Sequence, residues 1–230
     1  MSQVLLRLTS PLITPRDFKC YYRVLNRSVR TRNTVQGAEL QCRLCGTRPE
    51  RFSHLPKCPV LQETFRLFLD FAKPLESKLS MGPRMIMLGL TEGGVLGGSL
   101  SALHVILWKF VLIAFTRAET ENEIFKPSKV WWSAVRRFEV RLKAYEERIR
   151  RWVMKRESEG EGGGLPPDAV SNHNKWLEPC AHLSEEGEVR WHPRMVALLA
   201  GASAEAERRR VNSIHRAIRQ EKRRRKTRGR

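Results

Sequence analysis

Apolar residues recur at helical spacing along most of the chain. Residues 15–26, PRDFKCYYRVLN, read as a helix starting at Pro15 or Arg16, with Phe18, Tyr22, Val24 and Leu25 on its apolar face. Residues 59–72 place Leu61, Phe65, Phe68 and Ala72 on one stripe, and Lys73 and Pro74 end it. Farther along, Trp131, Val135, Phe138, Leu142, Tyr145, Ile149 and Trp152 alternate steps of four and three. That seam predicts an amphipathic helix over 129–153 that packs on the apolar segment before it. A homo-oligomer through this helix is the sharper reading of the same pattern. Three bulky aromatics and a Tyr at seam positions suit a two-stranded coiled coil poorly.

The segment 97–117, GGSLSALHVILWKFVLIAFTR, is apolar nearly all round and close to the length of a membrane span. Its ten Leu, Ile, Val and Phe residues favour insertion by about 3–6 kcal/mol. Lys109 near its middle costs about 2.5–3.5 kcal/mol, and His104 and the hydroxyls cost more. Arg117 is followed by Glu119, Glu121 and Glu123, so no positive-inside asymmetry supports a span. The expectation is a helix buried in a protein core, not a membrane anchor.

These patterns divide the chain into a basic helix with a cysteine-bearing segment (1–74), a helical core (75–156), a Gly/Pro/acid linker (157–168), a weakly packed helical segment (169–207) and a basic arm (208–230). GGVLGG at 93–98 lacks the Lys-Ser/Thr of a phosphate loop and reads as a flexible joint. The expected fold is mainly α: a small zinc-binding module, then a helical bundle, then a disordered basic tail. Little or no sheet is expected beyond a short hairpin around Cys42 to Cys45. The expected core includes Phe65, Phe68, Leu107, Trp108, Phe110, Val111, Phe138 and Leu142.

Charge changes the picture. The 230 residues hold 43 Lys and Arg against 24 Asp and Glu, a formal net charge of +19. Such a balance points to phosphate-bearing partners, DNA or RNA. The basic residues concentrate at both ends. Near the start stand Arg23, Arg27, Arg30 and Arg32. In the arm stand Arg208, Arg209, Arg210, Arg216, Arg219, Lys222, Arg223, Arg224, Arg225 and Lys226. The KRRRK run at 222–226 also suits nuclear import. Without a recognisable export signal, the expected compartment is intracellular, nuclear or cytoplasmic, and reducing. Five cysteines are then thiols or metal ligands rather than a disulfide framework.

Four donors cluster: Cys42-x2-Cys45-x8-His54-x3-Cys58. Three thiolates and one imidazole within 17 residues make a complete tetrahedral set for one Zn²⁺. Gly46 suits the tight turn after Cys45, and Pro59 suits the first position of a helix that Cys58 would cap. Arg43, Arg48, Arg51 and Lys57 would offset the net −1 of the loaded site. With every position taken by protein, the metal would be structural and not catalytic. Cys20 and Cys180 read as ordinary thiols.

The stretch from Arg16 to Phe65 resembles the zinc-binding region that follows the reverse transcriptase domain of non-LTR retrotransposons. The shared parts are the aromatic basic helix Phe18 to Leu25, Arg30-Thr31-Arg32, Cys42 to Gly46, Glu50, His54-Leu55 and Cys58-Pro59; WKF at 108–110 is similar more weakly. The resemblance implies a detached C-terminal piece of such an element, or a protein derived from one. The Tyr/Phe-x-Asp-Asp carboxylate pair of a polymerase is absent, so polymerase activity is not expected. Some retroelements carry a restriction-like nuclease after a similar finger. Pro167-Asp168 is the one local match, and a linker turn explains it better. No Ser-His-Asp set, Walker loop or G-x-G-x-x-G stands in the sequence, so no enzymatic activity is expected. The reading is a zinc-stabilised nucleic-acid-binding module. Its alternatives are a nuclease remnant, or a membrane-associated or assembly protein using residues 98–116.

Overall fold

The computed structural model describes residues 10–29, 31, 40–92, 94–121, 124–160, 165–205 and 207–208. The expected basic arm, from 209 onward, lies outside these residues. The described chain is mainly helical. Helix α1 is Pro15–Leu25, α2 Pro59–Ala72 and α3 Pro83–Leu88. A short hairpin, β1 (Leu90–Thr91) with β2 (Gly94–Val95), leads into α4, Gly98–Thr120. Helix α5 is Pro127–Ser158 and α6 Pro167–Leu177. A second hairpin pairs β3 (Ala181–Leu183) with β4 (Val189–Trp191), and α7 spans 193–205.

Helix α4 is the spine. Every residue from Ser99 to Lys109 is buried. Its length and composition would allow a membrane crossing, but in this chain α1, α5 and α6 surround it. Its polar residues each meet a partner. His104 Nε2 lies 3.0 Å from the Met85 and Ile86 carbonyl oxygens, and Trp108 Nε1 donates to Ile86 O at 2.7 Å. Tyr21 Oη donates to Met87 O at 3.2 Å. Together these three side chains give partners to the Ile86 and Met87 carbonyls near the C-terminus of the six-residue α3, and a second one to Met85 O, which also accepts from Gly89 N–H. Lys109 pairs with Asp17 of α1.

The α1 stripe differs from the pattern expected. Asp17, Tyr21 and Val24 are buried, while Tyr22 is 49% exposed. Asp17 sits at the head of the stripe because it does two jobs. It closes a capping box with Thr14, whose N–H donates to Asp17 Oδ2 at 3.0 Å, and it faces Lys109. Burial would raise the Asp17 pKa, but the hydrogen bond from Lys109, helped by Thr14, holds it below the ordinary Asp value.

The α5 seam is spent inside the chain. Trp131, Val135, Phe138, Leu142, Tyr145 and Ile149 are buried, and Trp152 is half-buried. The helix packs along α4 and α2. Of the expected core, Phe65, Phe68, Leu107, Trp108, Val111, Phe138 and Leu142 are fully buried; Phe110 is half-buried and reaches the surface.

One continuous core runs from Leu12 to Ala202. The two hairpins lie at 90–95 and 181–191, whereas the Cys42 region carries a single bridge between Gln41 and Pro49. Residues 169–207 contribute fully buried Leu177, Cys180, Leu183, Met195 and Ala202. They dock on the start of α4: Ser99 N–H donates to Glu178 O at 3.0 Å, and Cys180 N–H to Ser99 Oγ at 3.2 Å. This close approach explains Gly97 and Gly98, the last two glycines of the run that reads as a flexible joint. A Cβ on Gly98 would stand 2.2 Å from Lys175 O and 2.8 Å from Trp176 Cα.

Candidate metal centre

The local backbone builds the site before any side chain is considered. From Leu40 to Glu50 the chain turns back on itself. Cys42 N–H donates to Arg48 O at 2.7 Å, Glu50 N–H to Leu40 O at 2.9 Å, and Gly46 N–H to Cys42 O at 2.7 Å. Gly46 takes φ +68°, the left-handed conformation that glycine adopts without cost. A 3-10 turn, Phe52–Lys57, then carries His54 inward, and Cys58 occupies the N-cap position of α2 with Pro59 behind it. Leu55, fully buried, anchors the turn.

The donor atoms of Cys42, Cys45, His54 and Cys58 all lie within 4.8 Å of one another. A tetrahedral zinc site with sulfur at 2.3 Å has ligand–ligand edges of ~3.8 Å. The four groups therefore need to close by no more than about an ångström to coordinate one ion. His54 Nε2 already stands 3.3 Å from Cys45 Sγ. Cys42, His54 and Cys58 are buried and Cys45 is half-buried. Protein supplies all four positions of a tetrahedral ion, as in a structural site. The hydrogen bond from the Cys58 thiol is the main cause that holds Cys42 below the ordinary thiol range. The same contact pushes Cys58 above the ordinary thiol range. The pair thus shares a proton that a cation would displace. His54 Nδ1 is buried without a hydrogen-bond partner among the described residues. Its ring consequently lacks the outer acceptor that usually orients a metal-binding imidazole.

Arg43, expected beside the metal as a counter-charge, is committed elsewhere. Its Nη2 reaches Glu50 Oε1 at 2.6 Å, its Nε reaches Glu50 Oε2 at 2.8 Å, and its backbone N–H donates to the same carboxylate at 2.8 Å. Its Nη1 crosses to Glu119 of α4 at 2.6 Å, with the guanidinium 5.4 Å from the centre of the Phe115 ring. The side chains of Arg43 and Glu50 are 3% and 0% exposed. This fork ties the cysteine loop to α4. Helix α1 also packs on α4. Arg48, Arg51 and Lys57 are exposed around the loop.

The expected basic contacts divide by position. Arg23 and Arg27 are exposed at the C-terminal end of α1, and Arg208 is exposed at the last described position. Arg23 and Arg43 border one cleft of about 580 Å³ that Glu119 also lines. Arg30, Arg32, Arg209, Arg210, Arg216, Arg219, Lys222, Arg223, Arg224, Arg225 and Lys226 lie outside the described residues. Asp168, the one nuclease-like match, is exposed in the first turn of α6, where a helix N-terminus favours a carboxylate. Cys180 is fully buried, and burial pushes its thiol up to about 12.

The Arg43–Glu50 fork escaped the sequence reading. Opposite charges seven residues apart, on either side of a Cys-x2-Cys-Gly turn, were the available signal for the fork. No protein family, curated protein or solved structure matches this chain.

Proposed function

We propose that the chain is a zinc-stabilised nucleic-acid-binding module of the kind found at the C-terminal end of retroelement reverse transcriptases, without polymerase activity of its own. The observation that carries this is the closed Cys42–Cys45–His54–Cys58 donor set in a chain of net charge +19. A four-ligand Zn²⁺ has no open position for chemistry, so its contribution is folding free energy for the loop and the start of α2. The basic ends supply phosphate contacts that position the nucleic acid and do not read its sequence. The KRRRK run serves nuclear import.

The test has two readouts on the purified full chain. Metal analysis should give one zinc per chain, removed by a chelator with loss of order around residues 40–72. Binding to duplex DNA should weaken with salt. If the arm neutralises about 6–8 phosphates, the log–log slope should be roughly −5 to −7. Deleting residues 208–230 should remove most of that slope while zinc content and helicity stay unchanged. Metal-free protein that folds equally well, or binding with no dependence on salt, would overturn the proposal.

A further inference from the structure

Helix α5 distributes its charges unevenly. In its C-terminal half, three cations are matched one turn away: Lys143 with Glu139 at 2.8 Å, Arg150 with Glu147 at 3.1 Å, and Arg151 with Glu147 at 3.3 Å; Arg148 there stacks over Tyr145 and donates to Pro11 O. One turn earlier, Arg136 and Arg137 have no acidic partner among the described residues, because Glu139 is held by Lys143. Farther along the helix, Arg141 stands 3.9 Å from Asp17, which is already paired with Lys109. Burial, and next the charge of Arg137, press the Arg141 guanidinium below its ordinary value. Its Nε is buried with no hydrogen-bond partner among the described residues. Cationic charge thus exceeds anionic charge on this face.

The same two arginines border a cleft of about 300 Å³ between α5 and α7. Phe110 and Trp132, both half-buried, supply its aromatic lining, and Val140, 56% exposed, its open edge. The α7 wall is Ala202 and Glu205, and the arm's first arginine, Arg208, follows three residues later. The cleft therefore lies where the most basic segment of the chain leaves the bundle.

We propose that this cleft seats an unstacked base of a single-stranded nucleic acid against Phe110 and Trp132, with Arg136 and Arg137 on the flanking phosphates. This rests on the nucleic-acid reading above and adds a preference to it. An aromatic-lined recess needs a base with a free face, and a duplex hides its base faces in the stack. The arm supplies strand-independent attraction, and the cleft supplies the discrimination.

The experiment measures binding of the full chain to a labelled 12-nucleotide oligothymidylate and to a duplex of the same length, across a salt series. Three variants are compared with the parent: Arg136→Ala/Arg137→Ala, the charge-matched control Lys143→Ala/Arg150→Ala, and Trp132→Phe, which keeps the packing volume. Thermal melting confirms that each is folded. The parent should bind the single strand about tenfold or more tightly than the duplex, within the range that aromatic stacking provides. The Arg136/Arg137 variant should lose most of that preference, and its single-strand slope should shrink by about 1.4, the share of two phosphates. The control should keep both. Trp132→Phe should weaken single-strand binding several-fold while duplex binding holds. If the two double variants fall equally, net charge explains the effect and the cleft proposal is overturned. Equal parental affinity for single strand and duplex overturns the cleft but leaves the nucleic-acid reading standing. If neither nucleic acid binds, or if an acidic amphipathic peptide displaces the strand from the cleft at lower concentration, the proposal fails.

Discussion

Replacing Arg43 by Met should detach the cysteine loop from the bundle at a cost set almost entirely by Glu50. The Glu50 side chain is 0% exposed and accepts three separate bonds from Arg43, at 2.6, 2.8 and 2.8 Å. Methionine fills the arginine stem but strips the buried carboxylate of its guanidinium. Removing one partner of a buried ion pair typically costs about 3–5 kcal/mol. The bond to Glu119 adds little, since that side chain is 47% exposed and exposed pairs are worth about 0–1 kcal/mol. Glu119→Gln should therefore cost under about 1 kcal/mol. Arg43→Lys should fall between, because an ammonium keeps the charge but cannot fork. The double variant Arg43→Met/Glu50→Leu should recover much of the loss, as buried pairs replaced by apolar groups often do. Urea unfolding of zinc-loaded protein measures each value, and chelator competition reports whether the loop holds its metal less tightly. If Arg43→Met costs less than Glu119→Gln, or if the double variant is worse than the single, the fork is not what docks the loop.

Cys45→Ser should abolish zinc binding, whereas Cys180→Ser should leave the metal content unchanged; native Cys180, buried with its thiol raised to about 12, should resist alkylation that reaches half-exposed Cys20. Asp17 has a folded-state pKa below its ordinary value of 3.8, so its stabilising effect is complete above pH ~4 and disappears as pH falls through the lower folded value. An Asp17→Asn variant should be less stable than the parent at neutral pH, and acid titration followed by circular dichroism should show the two converging at low pH. Gly98→Ala should destabilise by about 1–3 kcal/mol, because its methyl would meet the Lys175 and Trp176 backbone; an unchanged melting temperature would mean that α6 does not sit where described.

What the linear chain determined by itself was local. The cysteine and histidine spacing specifies a metal site because a Cys-x2-Cys turn, a short 3-10 turn and a helix N-cap all operate within 17 residues, where few backbone paths exist. Helix α2 ends where Lys73 and Pro74 predict it, since caps and proline act through the neighbouring backbone. The α5 seam is legible because its period alone marks a buried face. The sequence favours the preceding apolar segment as the seam's partner, but a second copy would satisfy the same heptads, and the packing of α5 on α4 and α2 is what assigns it. The same holds for Lys109. In sequence it is a charge inside an apolar run; its partner stands 92 residues away, and no local pattern encodes a contact at that range. Arg43 looked like a counter-ion for the metal and became a tether because Glu50 and Glu119 compete for it at closer range. Nothing in the local pattern marks Asp17 as buried; Thr14, Lys109 and the α4 wall make its burial tolerable. Short-range chemistry fixed the elements and the ligand set. The choice of partners for each buried charge and each apolar face required the folded chain, because desolvation is decided by what finally surrounds a group.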